Sequence, residues 1–205
     1  MKRFFGVLAL VCVASTASAQ SALRINTSLG SFTPMLPVIA VDDTRNPDVE
    51  LESATATTLE LGYAARSWAT LYGGLTYAQP RLVLSGALES NQVNGASSRT
   101  NILIPTAGVM LSRQLGRTSI RPSARLGIGV KSYKFDLAEQ DDRVGNLTGD
   151  LGLGLSAGEG PVTMTAEARW LPSTFNARSL PIRATGNTDQ QQNDWIFQLG
   201  FRFRP

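Results

Sequence analysis

The stretch Ile120-Arg121-Pro122-Ser123-Ala124-Arg125-Leu126-Gly127-Ile128-Gly129-Val130-Lys131 puts an apolar residue at every even position and Arg, Ser, Gly or Lys at every odd one. Side chains of an extended chain point alternately to two sides, so this pattern is a strand with one apolar and one polar face. The same alternation returns further along. Leu147, Leu151, Leu153 and Leu155 alternate with Thr148, Asp150, Gly152, Gly154 and Ser156. Val162, Met164, Ala166, Ala168 and Trp170 alternate with Thr163, Thr165, Glu167 and Arg169. The chain closes with Trp195, Phe197, Leu199, Phe201 and Phe203 against Gln198, Gly200 and Arg202. No long segment has helical periodicity.

Working outward from these segments predicts strands near 22–32, 53–66, 70–84, 100–115, 118–135, 145–158, 161–172 and 193–203. The connections alternate in length. Ser67-Trp68-Ala69, Gly116-Arg117 and Glu159-Gly160 are tight turns, whereas 33–52, 85–99, 136–144 and 173–192 are long. This gives an all-β chain: an eight-stranded, antiparallel, up-and-down transmembrane barrel with both termini on the periplasmic side. Turn geometry tests the phase, because residues paired across a hairpin share a face. The expected pairs are Asp150 with Arg169, Arg121 with Ser112, and Glu60 with Thr76. Pro80, Pro105 and Pro122 fall inside predicted strands, where each removes a donor, so bulges or strand portions above the membrane are expected there. The 100–115 segment is apolar on both faces (Ile104 and Met110 against Leu103, Val109 and Leu111), and only the turn sets its phase.

A soluble lipocalin-like barrel, a periplasmic carrier, shows the same alternation inside out. The membrane arrangement is favoured by a polar face rich in small residues, by the loop lengths, and by aromatics near strand ends: Tyr63, Tyr77, Trp170, Trp195, Phe201 and Phe203. Residues 1–19 read as a signal peptide cleaved after Ala19, with Lys2 and Arg3, the apolar run Phe4 to Ala14, and the small-residue site Ala17-Ser18-Ala19; residues 20–205 are then the barrel. Lys2 and Arg3 are two of the 19 basic residues, so the rest nearly balances the 16 acidic ones and no nucleic-acid partner is indicated. Cys12, the one cysteine, lies in the leader, which leaves neither a disulfide nor a thiol nucleophile.

The export signal, eight strands, alternating loops and the closing segment Trp195 to Phe203 resemble the small outer-membrane β-barrel superfamily of the OmpA/OmpX type. The closing segment resembles that family's C-terminal targeting signal, with Arg204-Pro205 added after the final aromatic. The resemblance implies insertion by the barrel-assembly machinery, contact with outer-membrane lipid and lipopolysaccharide, and a monomer. No peptidoglycan-binding domain is expected after the barrel. Enzymes on related barrels rely on a histidine, as the resemblance implies, and this chain has none. A Ser-His nucleophile is therefore excluded and no catalysis is expected. No cofactor is expected either.

The lumen is the chemically distinctive part. Arg24, Glu60, Arg66, Arg121, Arg125, Lys131, Asp150, Glu167, Arg169 and Arg202 should point inward, with Glu60, Arg125, Asp150 and Glu167 toward the middle and Arg121 and Arg169 flanking them. An eight-stranded barrel is only wide enough for side chains to fill. Mixed charges there should pair into a structural plug, the alternative being a narrow pore with an arginine-rich lining. Ser132 and Lys134 share a face near the outer rim as ordinary surface residues. The acidic residues Asp42, Asp43, Asp48, Glu50 and Glu52, and Asp136, Glu139, Asp141 and Asp142, could bind calcium or bridge to divalent ions on lipopolysaccharide, but they lack calcium-loop spacing and read as solvated charge, so no metal site is expected. Loops 33–52 and 173–192 are the expected contact surface for an extracellular partner, and Met35, Leu36, Val38, Ile39 and Val41 give the first an apolar stretch.

Overall fold

A computed structural model describes residues 22–35, 48–85, 97–135, 143–175 and 190–205. The leader, most of the four long loops and their acidic clusters, Glu52 excepted, lie outside the described residues or have side chains that do. The strand segments are β1 (Leu23–Pro34), β2 (Asp48–Leu51), β3 (Ala54–Ala64), β4 (Ala69–Ala78), β5 (Arg81–Ser85), β6 (Ser97–Ser112), β7 (Ile120–Phe135), β8 (Arg143–Ala157), β9 (Val162–Phe175) and β10 (Gln190–Phe203). Each long strand pairs antiparallel with its neighbours in sequence. β10 pairs with β1, and β6 with β7, so the sheet closes into an eight-stranded barrel. Segments β2 and β5 pair with each other and continue β3 and β4 past short breaks at the long-loop end.

Following cross-strand partners once round the wall fixes the stagger. The path Ile102, Ala78, Ala56, Gly30, Gln198, Glu167, Gly154, Ser123 returns to β6 at Ser112, ten residues from Ile102. A stagger of this size tilts the strands to about 35–45° from the barrel axis. Residues in one hydrogen-bonded row therefore lie at different heights.

The alternation sorts the side chains as the sequence implies. Leu126, Leu147 and Leu199 point outward with exposures of 67%, 72% and 69%. Arg125, Lys131, Asp150 and Arg169 are buried inside. This is the reverse of a soluble, ligand-carrying barrel, whose apolar face lines the cavity. The ambiguous β6 resolves with Ile102, Ile104 and Met110 inside and Leu103 and Leu111 outside.

Three hairpin registers differ from expectation, each by two residues. Arg169 pairs with Gly152, Ser112 with Ser123, and Glu60 with Gly74. The β6–β7 turn spans Gly116 to Ser119 instead of two residues, with Leu115 and Ile120 still bonded through the backbone at 3.1 Å. Gly116 has φ +56°, a left-handed conformation that a β-carbon disfavours. The β8–β9 turn, with Gly158 and Gly160 also at positive φ, is likewise longer. In the β3–β4 turn Arg66 and Ala69 exchange backbone hydrogen bonds while Ala64 pairs with Thr70, leaving Ala65 as an extra residue. A shift of two preserves the face of every side chain, which is why the inside–outside assignment survives the register error.

The bulges expected at the prolines do not form at Pro105 or Pro122. Pairing between β6 and β7 lapses beside Pro105, yet Leu103 pairs with Ser132 and Thr106 with Gly129 in one unbroken register. Pro122 sits in β7 opposite Leu155 with no shift. Proline removes a donor but adds no residue, so the ladder loses a bond without bulging. Pro80 instead marks the break between β4 and β5, where its carbonyl still accepts the Thr100 N–H at 2.9 Å.

Candidate functional site: the lumen of the barrel

Allowing for the tilt, the inward residues fall into three layers. Nearest the long loops lies a mainly apolar layer of Phe32, Ile102, Ile104, Leu171 and Ile196, all fully buried. Against it, Lys131 Nζ donates to Asp194 Oδ2 at 2.7 Å, to the Leu171 carbonyl at 2.6 Å and to Ser173 Oγ at 2.9 Å. Tyr133 donates to Gln192 Oε1 at 2.7 Å. Three donors of one ammonium meet three acceptors, which is how a buried lysine avoids an unpaired charge.

The middle layer is built on Arg125. Its guanidinium donates to Glu60 Oε2, donates to Glu167 Oε2 at 2.8 Å, and lies 3.5 Å from Asp150 Oδ2. Its central carbon sits 4.2 Å from the centroid of the Tyr72 ring, a cation–π contact. Arg169 donates to both oxygens of Asp150, from Nε at 3.0 Å and Nη2 at 2.9 Å, and from Nη1 to Thr76 Oγ1 at 3.0 Å. Tyr72 gives its hydroxyl proton to Asp150 Oδ2 at 2.8 Å. Gln198 donates to Glu167 at 2.9 Å and accepts from Thr58 at 3.0 Å. Arg202 approaches Glu167 Oε1 at 3.7 Å from below. Two guanidinium groups of this layer, Arg125 and Arg169, thus face three carboxylates, and Arg202 in the layer below supplies the third positive charge. Glycine makes this crossing geometrically feasible. Gly108 and Gly127 are cross-strand partners, and a β-carbon on either would run into the Tyr72 hydroxyl on its way to Asp150.

At the short-turn end, Arg24, Arg121, Arg202 and Arg204 occupy one level. Arg24 donates to Thr70 Oγ1 at 2.9 Å, Arg121 to Gln114 Oε1 at 3.4 Å, and Arg202 to Met110 Sδ at 3.4 Å. Burial, and then the positive charges of Arg121 and Arg202, hold the Arg204 guanidinium below its ordinary pKa.

Of the lumen residues expected from sequence, Glu60, Arg125, Asp150, Glu167 and Arg169 meet in the middle layer. Arg169 sits at its centre and does not flank it, because a fully buried guanidinium at its height bonds Asp150 directly. Arg121 is not part of this network; it lies at the short-turn rim with Gln114. Arg66, expected inside, is exposed in the β3–β4 turn, since the strand ends at Ala64. Sequence reasoning missed Tyr72, Gln198 and Asp194 as network members. The signal was phase: Tyr72 lies four residues from inward Thr76, and Asp194 and Gln198 share the parity of Arg202.

The outward aromatics form two groups. Tyr63, Phe201 and Phe203 lie toward the short turns, and Tyr77, Trp170 and Trp195 toward the long loops. Trp170 and Trp195 pair directly with ring centroids 6.5 Å apart, and Phe197 stacks on Trp195 at 5.8 Å. Among the described residues no helix is long and apolar enough to cross a membrane, and no group of acidic, His or Cys side chains is placed to hold a metal ion.

This architecture is that of the small eight-stranded outer-membrane β-barrels. The solved structure of Neisserial surface protein A (NspA) superposes with a TM-score of 0.63 at 10% identity, covering 89% of this chain and 97% of that one. OprG from Pseudomonas aeruginosa gives 0.55 at 13% identity over 89% and 95% of the two chains. AlkL, an outer-membrane protein solved in lipid bilayers, gives 0.54 at 15% identity over 93% of both. At these identities the likeness is one of fold. No protein-family profile matches the chain, and no curated protein sequence matches it.

Proposed function

We propose that this chain is a non-enzymatic outer-membrane protein whose barrel anchors its long loops at the cell surface, with both termini in the periplasm and a lumen closed to ions. The observation that carries the reading is the contrast between wall and lumen: leucines and aromatics cover the outside, while the Arg125 layer and the apolar layer above it fill the inside. A leucine-covered exterior in water would be an aggregation surface; in lipid it is the solvent-matched one. The outer-membrane and surface locations in the names of the solved neighbours support the same assignment. The absence of histidine supports a non-catalytic role. An extracellular partner would meet the loops within 33–52 and 173–192, and lipopolysaccharide would meet the outer rim.

The test is fractionation of cells expressing the protein, electrophoresis with and without boiling, and single-channel recording. Outer-membrane recovery, a heat-dependent mobility shift and no steady conductance are expected. Recovery in the soluble periplasmic fraction overturns the membrane assignment. Steady conductance from the wild-type barrel overturns the closed lumen and favours a narrow pore.

A further inference from the structure

We infer that the short-turn mouth of the barrel is a phosphate-binding site, with Arg24 and Arg121 in its lining and Arg202 and Arg204 adding positive charge beside it. Ile25 pairs with Phe203 across the β1–β10 seam, so the next positions in that register, Arg24 and Arg204, stand opposite one another. Both share the inward phase of Asn26 and Arg202, which are themselves partners. Like charges directly opposite on neighbouring strands repel. The carboxylates of the middle layer do not relieve this. Glu60 and Asp150 are taken up by Arg125 and Arg169, and only Glu167 reaches down, to Arg202 at 3.7 Å. The short turns add Arg113 and Arg117, and their one acidic residue is the exposed Glu159.

Two further observations point to a ligand. The Nε atoms of Arg24 and Arg204 are buried without a hydrogen-bond partner among the described residues. An open cavity also lies at this mouth, lined by Arg24, Arg113 and Arg121 together with Ser67, Trp68, Ser112 and Gln114; Arg202 and Arg204 stand outside its lining. A doubly charged phosphate accepts several hydrogen bonds at once and matches the planar fork of a guanidinium, so in the cavity it would meet the Arg24, Arg113 and Arg121 side chains and lower the repulsion at the mouth. The phosphate could be free or carried on a phospholipid headgroup; the recognition chemistry is the same.

The experiment uses the folded barrel in an alkyl maltoside, a detergent without phosphate, titrated with inorganic phosphate against chloride at equal ionic strength. The readouts are calorimetric affinity and the midpoint of thermal unfolding. Phosphate should raise the midpoint above that in chloride. The variant Arg24→Gln/Arg204→Gln should bind phosphate about tenfold more weakly or worse. In phosphate-free buffer that variant should unfold at a higher temperature than the wild type, which a purely structural pair of arginines would not allow. Galactolipid vesicles with and without phosphatidylglycerol supply the second arm. A response to inorganic phosphate supports the site with free ion as ligand, and a response confined to phosphatidylglycerol supports it with the headgroup as ligand. Equal behaviour in phosphate and chloride with no response to phosphatidylglycerol overturns the site, as does an undiminished response in the double variant. Should the variant fail to fold, phosphorus-31 line broadening on the wild type, absent or fully reversed by matched chloride, decides against it.

Discussion

Arg169 holds both carboxylate oxygens of Asp150, at 3.0 and 2.9 Å, although its cross-strand partner is Gly152. The bond is diagonal, and the missing side chain at Gly152 makes room for the Arg125 stem, whose Cγ and Cδ a β-carbon there would meet. Planar two-point contact is the geometry at which arginine and lysine differ most. Arg169→Lys should therefore destabilise the barrel although charge is retained. A double-mutant cycle with Asp150→Asn, read by denaturant unfolding in micelles, should give a coupling of about 1–3 kcal/mol. Coupling indistinguishable from zero would mean that Asp150 is held by Arg125 and Tyr72 alone.

Arg125 is the charge on which the middle layer converges. Arg125→Ala leaves Glu60 and Glu167 buried without their main counter-charge, a loss of roughly 3–5 kcal/mol. Replacing the carboxylates as well, in Arg125→Met with Glu60→Gln and Glu167→Gln, should restore much of it, because the cost lies in the stranded charges. Equilibrium unfolding of the single and triple variants separates that account from a simple loss of packing. A triple variant no more stable than Arg125→Ala would refute it.

The inside–outside pattern and the strand order could be read from sequence, whereas register and lumen depth could not. Alternation is a period-two signal, so Leu126 and Arg125 are assigned to opposite faces whatever their neighbours do. Register depends on turn length, and nothing in Gly116-Arg117-Thr118-Ser119 announces whether two or four of those residues form the turn. The same limit explains the middle layer. Glu60, Arg125, Asp150 and Glu167 declared themselves by charge, but placing Arg169 at the centre and Arg121 at the rim required knowing the stagger of the whole wall. Tyr72 was hidden for a different reason: an inward tyrosine in an apolar strand looks like core until its hydroxyl is seen to reach Asp150 past Gly108 and Gly127.

If the wall faces lipid, the cost of a surface charge should depend on depth. Leu199 lies at mid-height and Val162 at the short-turn end of β9. Leu199→Arg should cost about 2–4 kcal/mol and Val162→Arg about 0–1 kcal/mol in bilayer unfolding experiments. On a water-facing wall both substitutions would fall within about 0.5 kcal/mol of the wild type.

The three tryptophans provide an optical version of the same test. Trp170 and Trp195 are paired on the wall, whereas Trp68 is exposed in a short turn. Brominated acyl chains should quench most of the emission of Trp68→Phe, and aqueous iodide should quench little of it. Emission of Trp68→Phe that iodide quenches as strongly as that of the wild type would place the paired indoles in water.

Closure of the barrel joins β1 to β10, so Leu29 finds its partner Leu199 only after almost the entire chain has been made. Until then the growing sheet has two raw margins, each a row of unpaired amides and carbonyls able to capture strands of other molecules. The final strand therefore acts as a clasp. A chain stopped short of it is left as an open, adhesive ribbon, and the hazard of this fold is concentrated in the interval between synthesis and fastening.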